Sequence, residues 1–202
     1  VARPINDFVQ LARVKGPFGA AQADAEESVR QAFVELCERA GVWREEFEFL
    51  MQDGVPDYPI DVPEHTRLIC ISEADIGGTR YRASINSLMC RCGGWFVSVP
   101  DNKTVWIQPT PYPACETWTK LTVWVAPLPE CCEFPDLLYA EYGETIAFGA
   151  ASRLLQTPKQ EYTNQGLANR CFNLFEAGIT RAKNKRSLER TTGPLLMRGS
   201  YF

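Results

Sequence analysis

The spacing of apolar residues changes twice along the chain, from helical to strand-like and back, and this double change constrains the fold more than any single motif. The first regime begins near Asp24, where Asp24 and Glu27 have the N-cap and N3 spacing of a capping box. Val29, Ala32, Phe33, Leu36, Cys37 and Ala40 then recur at three- and four-residue steps, and Gly41 is a natural stop. The spacing predicts an amphipathic helix. Trp43, Phe47 and Leu50 keep that spacing past the glycine, while Val42 to Phe49 suits a strand equally well, and both assignments stand open at this point.

The middle of the chain reads differently. Between Gly54 and Pro129 there are nine prolines, the pairs Gly77-Gly78 and Gly93-Gly94, and short β-branched or aromatic runs, which together predict strands and turns. Tyr58, Ile60 and Val62 alternate with polar or proline positions, Leu68 to Ser72 and Trp95 to Val99 are brief apolar runs, and Val105 and Ile107 alternate again. Lys120 to Ala126 is the clearest strand, with Leu121, Val123 and Val125 on one face and Thr122 and Trp124 on the other.

Past Pro129 the helical period returns. Pro135 suits a first turn, and Leu138, Tyr142, Ile146, Gly149, Ala150 and Leu154 align up to Gln156, ahead of Pro158. Thr163 or Asn164 can cap a second helix, whose stripe is Ala168, Cys171, Phe172, Phe175, Ile179 and Ala182. The expected fold class is therefore α+β: an antiparallel helical bundle of long helices from both chain ends, interrupted by a small β module, with an extended C-terminal tail. The expected organisation is an N-terminal arm at 1–23, a bundle from 24–53 and 130–190, a β-rich insertion at 54–129 and a tail at 191–202.

At 202 residues, with 45% hydrophobic and 23% charged residues, the chain is large enough to bury a core, and wholesale disorder is excluded. No run approaches the roughly 20 apolar residues of a membrane-spanning helix, and Val1 to Gln10 lacks a signal-peptide core. A soluble chain of intracellular origin, with no membrane partner, is expected. The net charge of -4 argues against a general nucleic-acid coat, which needs an excess of cations to neutralise phosphates. The charge is uneven, however. Arg181, Lys183, Lys185, Arg186, Arg190 and Arg198 face a single acid, Glu189, within that stretch.

Residues suited to catalysis are sparse. The one histidine, His65, lies in Pro63-Glu64-His65-Thr66, which reads as a solvated turn, and no phosphate-cradling or nucleophile-elbow motif occurs. The clusters Glu45, Glu46, Glu48 and Asp57, Asp61 read as solvated faces. Eight cysteines are scattered through the chain; Cys37 and Cys171 fall on helix stripes as small hydrophobes, and reduced thiols are expected. Cys90, Cys92, Cys131 and Cys132 would be the ligands of a zinc site or the thiols of a small enzyme, but neither pair has the C-x2-4-C spacing of a structural knuckle, and disulfide exchange would rest on an unusual C-x-C. No catalytic residue, metal or cofactor is expected.

The last residues are the more informative oddity. Pro194, Leu195, Leu196, Met197, Arg198, Tyr201 and Phe202 put large apolar groups where no core element is predicted, so they form a docking segment for a partner or fold back on their own helices.

Three stretches resemble the head-to-tail adaptor, or head-completion, proteins of tailed bacteriophages. Val29 to Arg44, with its aromatic, its cysteine and a Val-Trp-Arg close, is similar to the opening helix of that family. Pro135-Asp136 followed by Ile146 to Leu155 is similar to its long helix after the β region, and Leu167-Ala168, Phe175, Gly178-Ile179 and Ala182-Lys183 to its last helix. Tyr58-Pro59-Ile60 and Val125 to Pro129 fit the start and end of the β region. The cysteine-rich stretch from 90 to 132 and residues Val1 to Ala23 have no counterpart.

The resemblance implies a virion protein of the head-tail junction, assembled in the host cytoplasm, that forms a homo-oligomeric ring, a dodecamer, beneath the portal protein. It implies a tail or neck protein below, transient contact with packaged DNA, and Gly193 to Phe202 docking into a portal groove. Arg181, Lys183, Lys185, Arg186 and Arg190 would face the channel lumen or the portal. A tail-completion or tail-tube terminator protein is the alternative within the same class.

Overall fold

The computed structural model describes residues 2–17, 19–82, 88–92, 94–101, 103–108 and 117–191. β9 (Thr117–Pro127) is the centre of the main sheet because both of its edges find long partners. On one side β2 (Arg44–Met51) pairs antiparallel from Arg44 opposite Trp124 to Met51 opposite Thr117. On the other, β4 (Thr66–Ile76) pairs from Thr66 opposite Pro127 to Ile76 opposite Thr119, with register shifts between Leu68 and Cys70 and between Ile71 and Glu73. β5 (Thr79–Arg82) closes the order β2-β9-β4-β5 through a turn at Gly77 and Gly78. A second four-stranded sheet runs β3 (Asp57–Pro59), β8 (Thr104–Gln108), β7 (Trp95–Ser98), β6 (Met89–Cys92). β6 also lies against β4 and β5, so the two sheets share a core that includes Ile71, Ala74, Val97 and Ile107.

Among the described residues four helices pack on one another, with α2 against the main sheet: α1 (Ile5–Lys15), α2 (Gln22–Ala40), α3 (Asp136–Gln156) and α4 (Gln165–Thr191). α2 lies on β9 and carries the expected stripe, with Val29, Ala32, Phe33, Leu36 and Cys37 at 0% exposure. α3 packs on α1, α2 and α4. Its close approach to two neighbours is made possible by Gly149, where an added Cβ would lie 2.9 Å from both the Ala32 Cβ and the Phe175 ring. A short ribbon of β1 (Ala2–Pro4) with β10 (Glu133–Pro135) sets Phe134 into an aromatic group with Phe8, Phe33 and Trp43. The Phe33 and Phe134 ring centroids are 4.6 Å apart.

The architecture overturns the expected bundle with a small β module. The protein is mixed α/β, with four helices and about a third of the described residues in strands, which form three antiparallel sheets among those residues. The underestimate has a physical origin. Arg44–Met51, whose spacing suited helix and strand alike, becomes a strand because β9 offers it eight cross-strand partners, a non-local gain that outweighs local preference. Residues 2–15 form β1 and α1, with Phe8, Val9 and Ala12 fully buried. The predicted capping box at Asp24 does not form: α2 starts at Gln22 with no side-chain cap. Thr191, the first residue of the expected tail, ends α4, and residues 192–202 lie outside the described residues.

Candidate docking surface at the end of α4

α4 starts where the sequence places it, for Asn164 Oδ1 accepts from the Leu167 backbone N–H at 3.0 Å and so satisfies one of the helix's free donors. Its inner seam is made of small or flat groups, Ala168, Cys171, Phe175, Ile179 and Ala182, all buried. An ion-pair cluster pins its middle to the other helices. Arg39 of α2 reaches Glu176 with Nη1 and Nη2, at 2.5 and 2.6 Å, and Glu35 at 2.6 Å, while Arg153 of α3 also pairs with Glu35. The two-pronged bond from Arg39, opposed by partial burial, holds the Glu176 carboxyl below its ordinary value of 4.5.

Towards the C-terminal end α4 meets a cleft of about 400 Å³ between the end of α2, the start of β2 and the first turns of α3, lined in part by Trp43, Glu45, Leu137, Glu141, Lys185 and Arg186. Here the basic residues singled out in the sequence divide by role. Arg186 stands 4.2 Å from the centroid of the Trp124 ring and donates from Nη1 to the Ala40 carbonyl at 3.1 Å, which makes it a bolt between α4 and the sheet. Lys185 pairs with Glu141 of α3. Arg181 is exposed and Lys183 half-buried. Arg190 lies within α4, but its side chain is outside what is described, as are Pro194, Leu195, Leu196, Met197, Arg198, Tyr201 and Phe202 of the expected docking tail.

Two features were missed in the sequence. Trp124 falls on the outward face by strict alternation, yet it is 2% exposed beneath Arg186 and against Gly41. The signal available was Gly41 itself, a helix stop with room for a large ring. Exposed apolar groups also recur along α4, with Leu167 37%, Leu174 41% and Leu188 69% exposed; Phe172, expected on the inner stripe, is 44% exposed because it falls at the edge of the seam, and Leu137 at the lip of the cleft is 73% exposed.

The cysteines separate. Cys90 and Cys92 lie on β6, whereas Cys131 hydrogen-bonds the Glu133 carbonyl next to β10 and Cys132 is exposed. Among the described residues no group of three or more His, Cys, Asp and Glu side chains is arranged to hold a metal ion. Cys37, Cys70 and Cys171 are buried, and burial pushes the Cys37 and Cys171 thiols up. His65 sits in the expected turn with φ 57, its carbonyl accepting from Leu128 N–H at 2.7 Å.

No family model matches the chain, and no curated protein does either. No helix among the described residues is long and apolar enough to cross a membrane.

Proposed function

We propose that this chain is a virion structural protein that acts by binding, as a head-to-tail adaptor ring between a phage portal and the tail or neck below it. The observation that carries the reading is spatial. Of the three stretches that resemble adaptor proteins, the first is far in sequence from the other two, and they fall on α2, α3 and α4, which pack on one another. This packing leaves leucines and cations on the outside of α4, and the chain runs from the end of that helix into the apolar segment that would dock. Twelve weak tail contacts presented by one ring reinforce each other, since after the first has formed the others bind at high effective concentration.

The test is co-sedimentation with purified portal rings, comparing the whole chain with a form lacking Gly193 to Phe202. The whole chain is expected to sediment with the rings and the truncated form to stay in solution with unchanged circular dichroism. Equal sedimentation of both forms would remove the tail from the mechanism. Electron microscopy of labelled virions then distinguishes the neck from the far end of the tail, where a tail-completion protein would sit.

A further inference from the structure

Cys90 and Cys92 occupy alternate positions of β6, so both side chains leave the strand on the same face. That face is the inner one: the two residues are 2% and 0% exposed. Their sulfurs are 3.3 Å apart, with the Cys92 thiol donating to Cys90 Sγ. Each thiol also points at a carbonyl, Tyr81 O at 4.0 Å from Cys90 Sγ and Cys90 O at 3.9 Å from Cys92 Sγ. The pair therefore has one thiol arranged as acceptor and the other as donor, in contact, which is the arrangement needed by an attacking and a resolving cysteine.

We propose that Cys90 and Cys92 form a redox-active dithiol that closes to a disulfide by exchange with a low-molecular-weight disulfide. Cys90 attacks first. The hydrogen bond from Cys92 stabilises its thiolate and holds its pKa below the ordinary thiol value, against the opposing effect of burial; the same bond and burial push Cys92 up. The Cys90 thiolate displaces one RS⁻ from R–S–S–R and becomes the mixed disulfide Cys90–S–S–R. Cys92 then loses its proton, and its thiolate attacks Cys90 Sγ and expels the second RS⁻. Two thiols are oxidised, R–S–S–R is reduced to two RSH, and the two protons given up by the cysteines end on the two leaving groups.

Access and consequence both follow from the position of β6. It is four residues long and the outermost strand of its sheet, paired among the described residues only with β7, so the pair is exposed by local opening rather than global unfolding. Residues two apart in a strand have Cα atoms about 6.6 Å apart. The Cα atoms of a disulfide are most often about 5.5–6 Å apart, so closure draws β6 in at Arg91 and leaves a bond that is easily reduced. Arg91 projects from the other face, its guanidinium 5.7 Å from the centroid of the exposed Phe96 ring. The oxidation state inside the sheet is thereby read on its outer surface.

The experiment uses the full chain with Cys132→Ser, which removes the one thiol that is exposed among the described residues, incubated with oxidised glutathione, alkylated and peptide-mapped by mass spectrometry. The expected product is a species two hydrogens lighter, mapped to Cys90 and Cys92 and restored by dithiothreitol. Adding Cys92→Ser arrests the reaction at a glutathione adduct on Cys90; adding Cys90→Ser slows adduct formation at Cys92 by at least about tenfold. Should the Cys90 or Cys92 variants not fold, the disulfide mapped in the Cys132→Ser chain, and its loss on treatment with dithiothreitol, decide the question alone. Free thiols at both positions after glutathione treatment, or adducts confined to other cysteines, would overturn the proposal.

Discussion

Gly41 shows how one residue ties helix, sheet and surface together. Its φ of 62 places it in the left-handed region, where it ends α2 by donating its N–H to the Cys37 carbonyl at 2.8 Å. A Cβ there would also stand 2.6 Å from the six-membered ring of Trp124, so any side chain must displace the indole that Arg186 covers. Both costs fall on Gly41→Ala: strain at positive φ of about 1 kcal/mol and repacking of a buried ring of about 1–3 kcal/mol. Urea unfolding is expected to show a loss of at least about 2 kcal/mol. Gly54 also has positive φ, 72, but nothing lies within 4 Å of its missing Cβ. Gly54→Ala should therefore show the strain alone, and the difference between the two variants isolates the indole contact.

At the scale of elements, the attachment of α4 depends on pH through Glu176. Its carboxyl is held low in the folded protein by Arg39, so ionisation favours folding; that contribution is fully present above the unfolded value of about 4.5 and is lost as pH falls through the lower folded value. Both partners are about one-third exposed, and solvent screening limits the pair to about 0.5–1 kcal/mol. Glu176→Gln should destabilise by that amount at pH 7 and by progressively less as pH falls below 4.5, as read by thermal unfolding across that range. Elements of this kind were legible where their signal is local. The stripes of α2, α3 and α4 stand in the sequence at helical spacing, the alternation in β9 marks a strand, and Asn164 caps α4 as its position suggests. β2 was not legible, since Phe47 and Phe49 mark a strand while Trp43, Phe47 and Leu50 mark a helix, and only β9 decides between them. The three-residue partners β1 and β10 carry no period at all. The same limit applied to the surface at the end of α4: its cations were visible in the sequence, whereas the indole that immobilises Arg186 lies on a strand far away in the chain.

For the whole molecule the open question is whether helices and sheets unfold together, and the aromatic group around Phe134 bears on it most directly. Phe134 is 1% exposed and its ring meets Phe8 of α1 at 5.4 Å, Phe33 of α2 at 4.6 Å and Trp43 next to β2 at 6.4 Å. One side chain thus touches two helices and the approach to the main sheet, and it is held in place by the β1–β10 ribbon. Removing it opens a cavity shared by all of them, at a cost of about 3–5 kcal/mol for Phe134→Ala. A protein whose layers were independent would lose that energy from the helices alone, and the helical signal in circular dichroism would melt ahead of tryptophan fluorescence. Here Trp43 reports from within the same group and Trp124 from beneath Arg186, so the two signals are tied to the contacts that hold the helices. Both probes are expected to shift to lower denaturant together, with coincident transitions in the parent and in Phe134→Ala. Separation of the two curves in the variant but not in the parent would locate the coupling between layers in this one ring, while separation in both would show that the sheets fold without the helices.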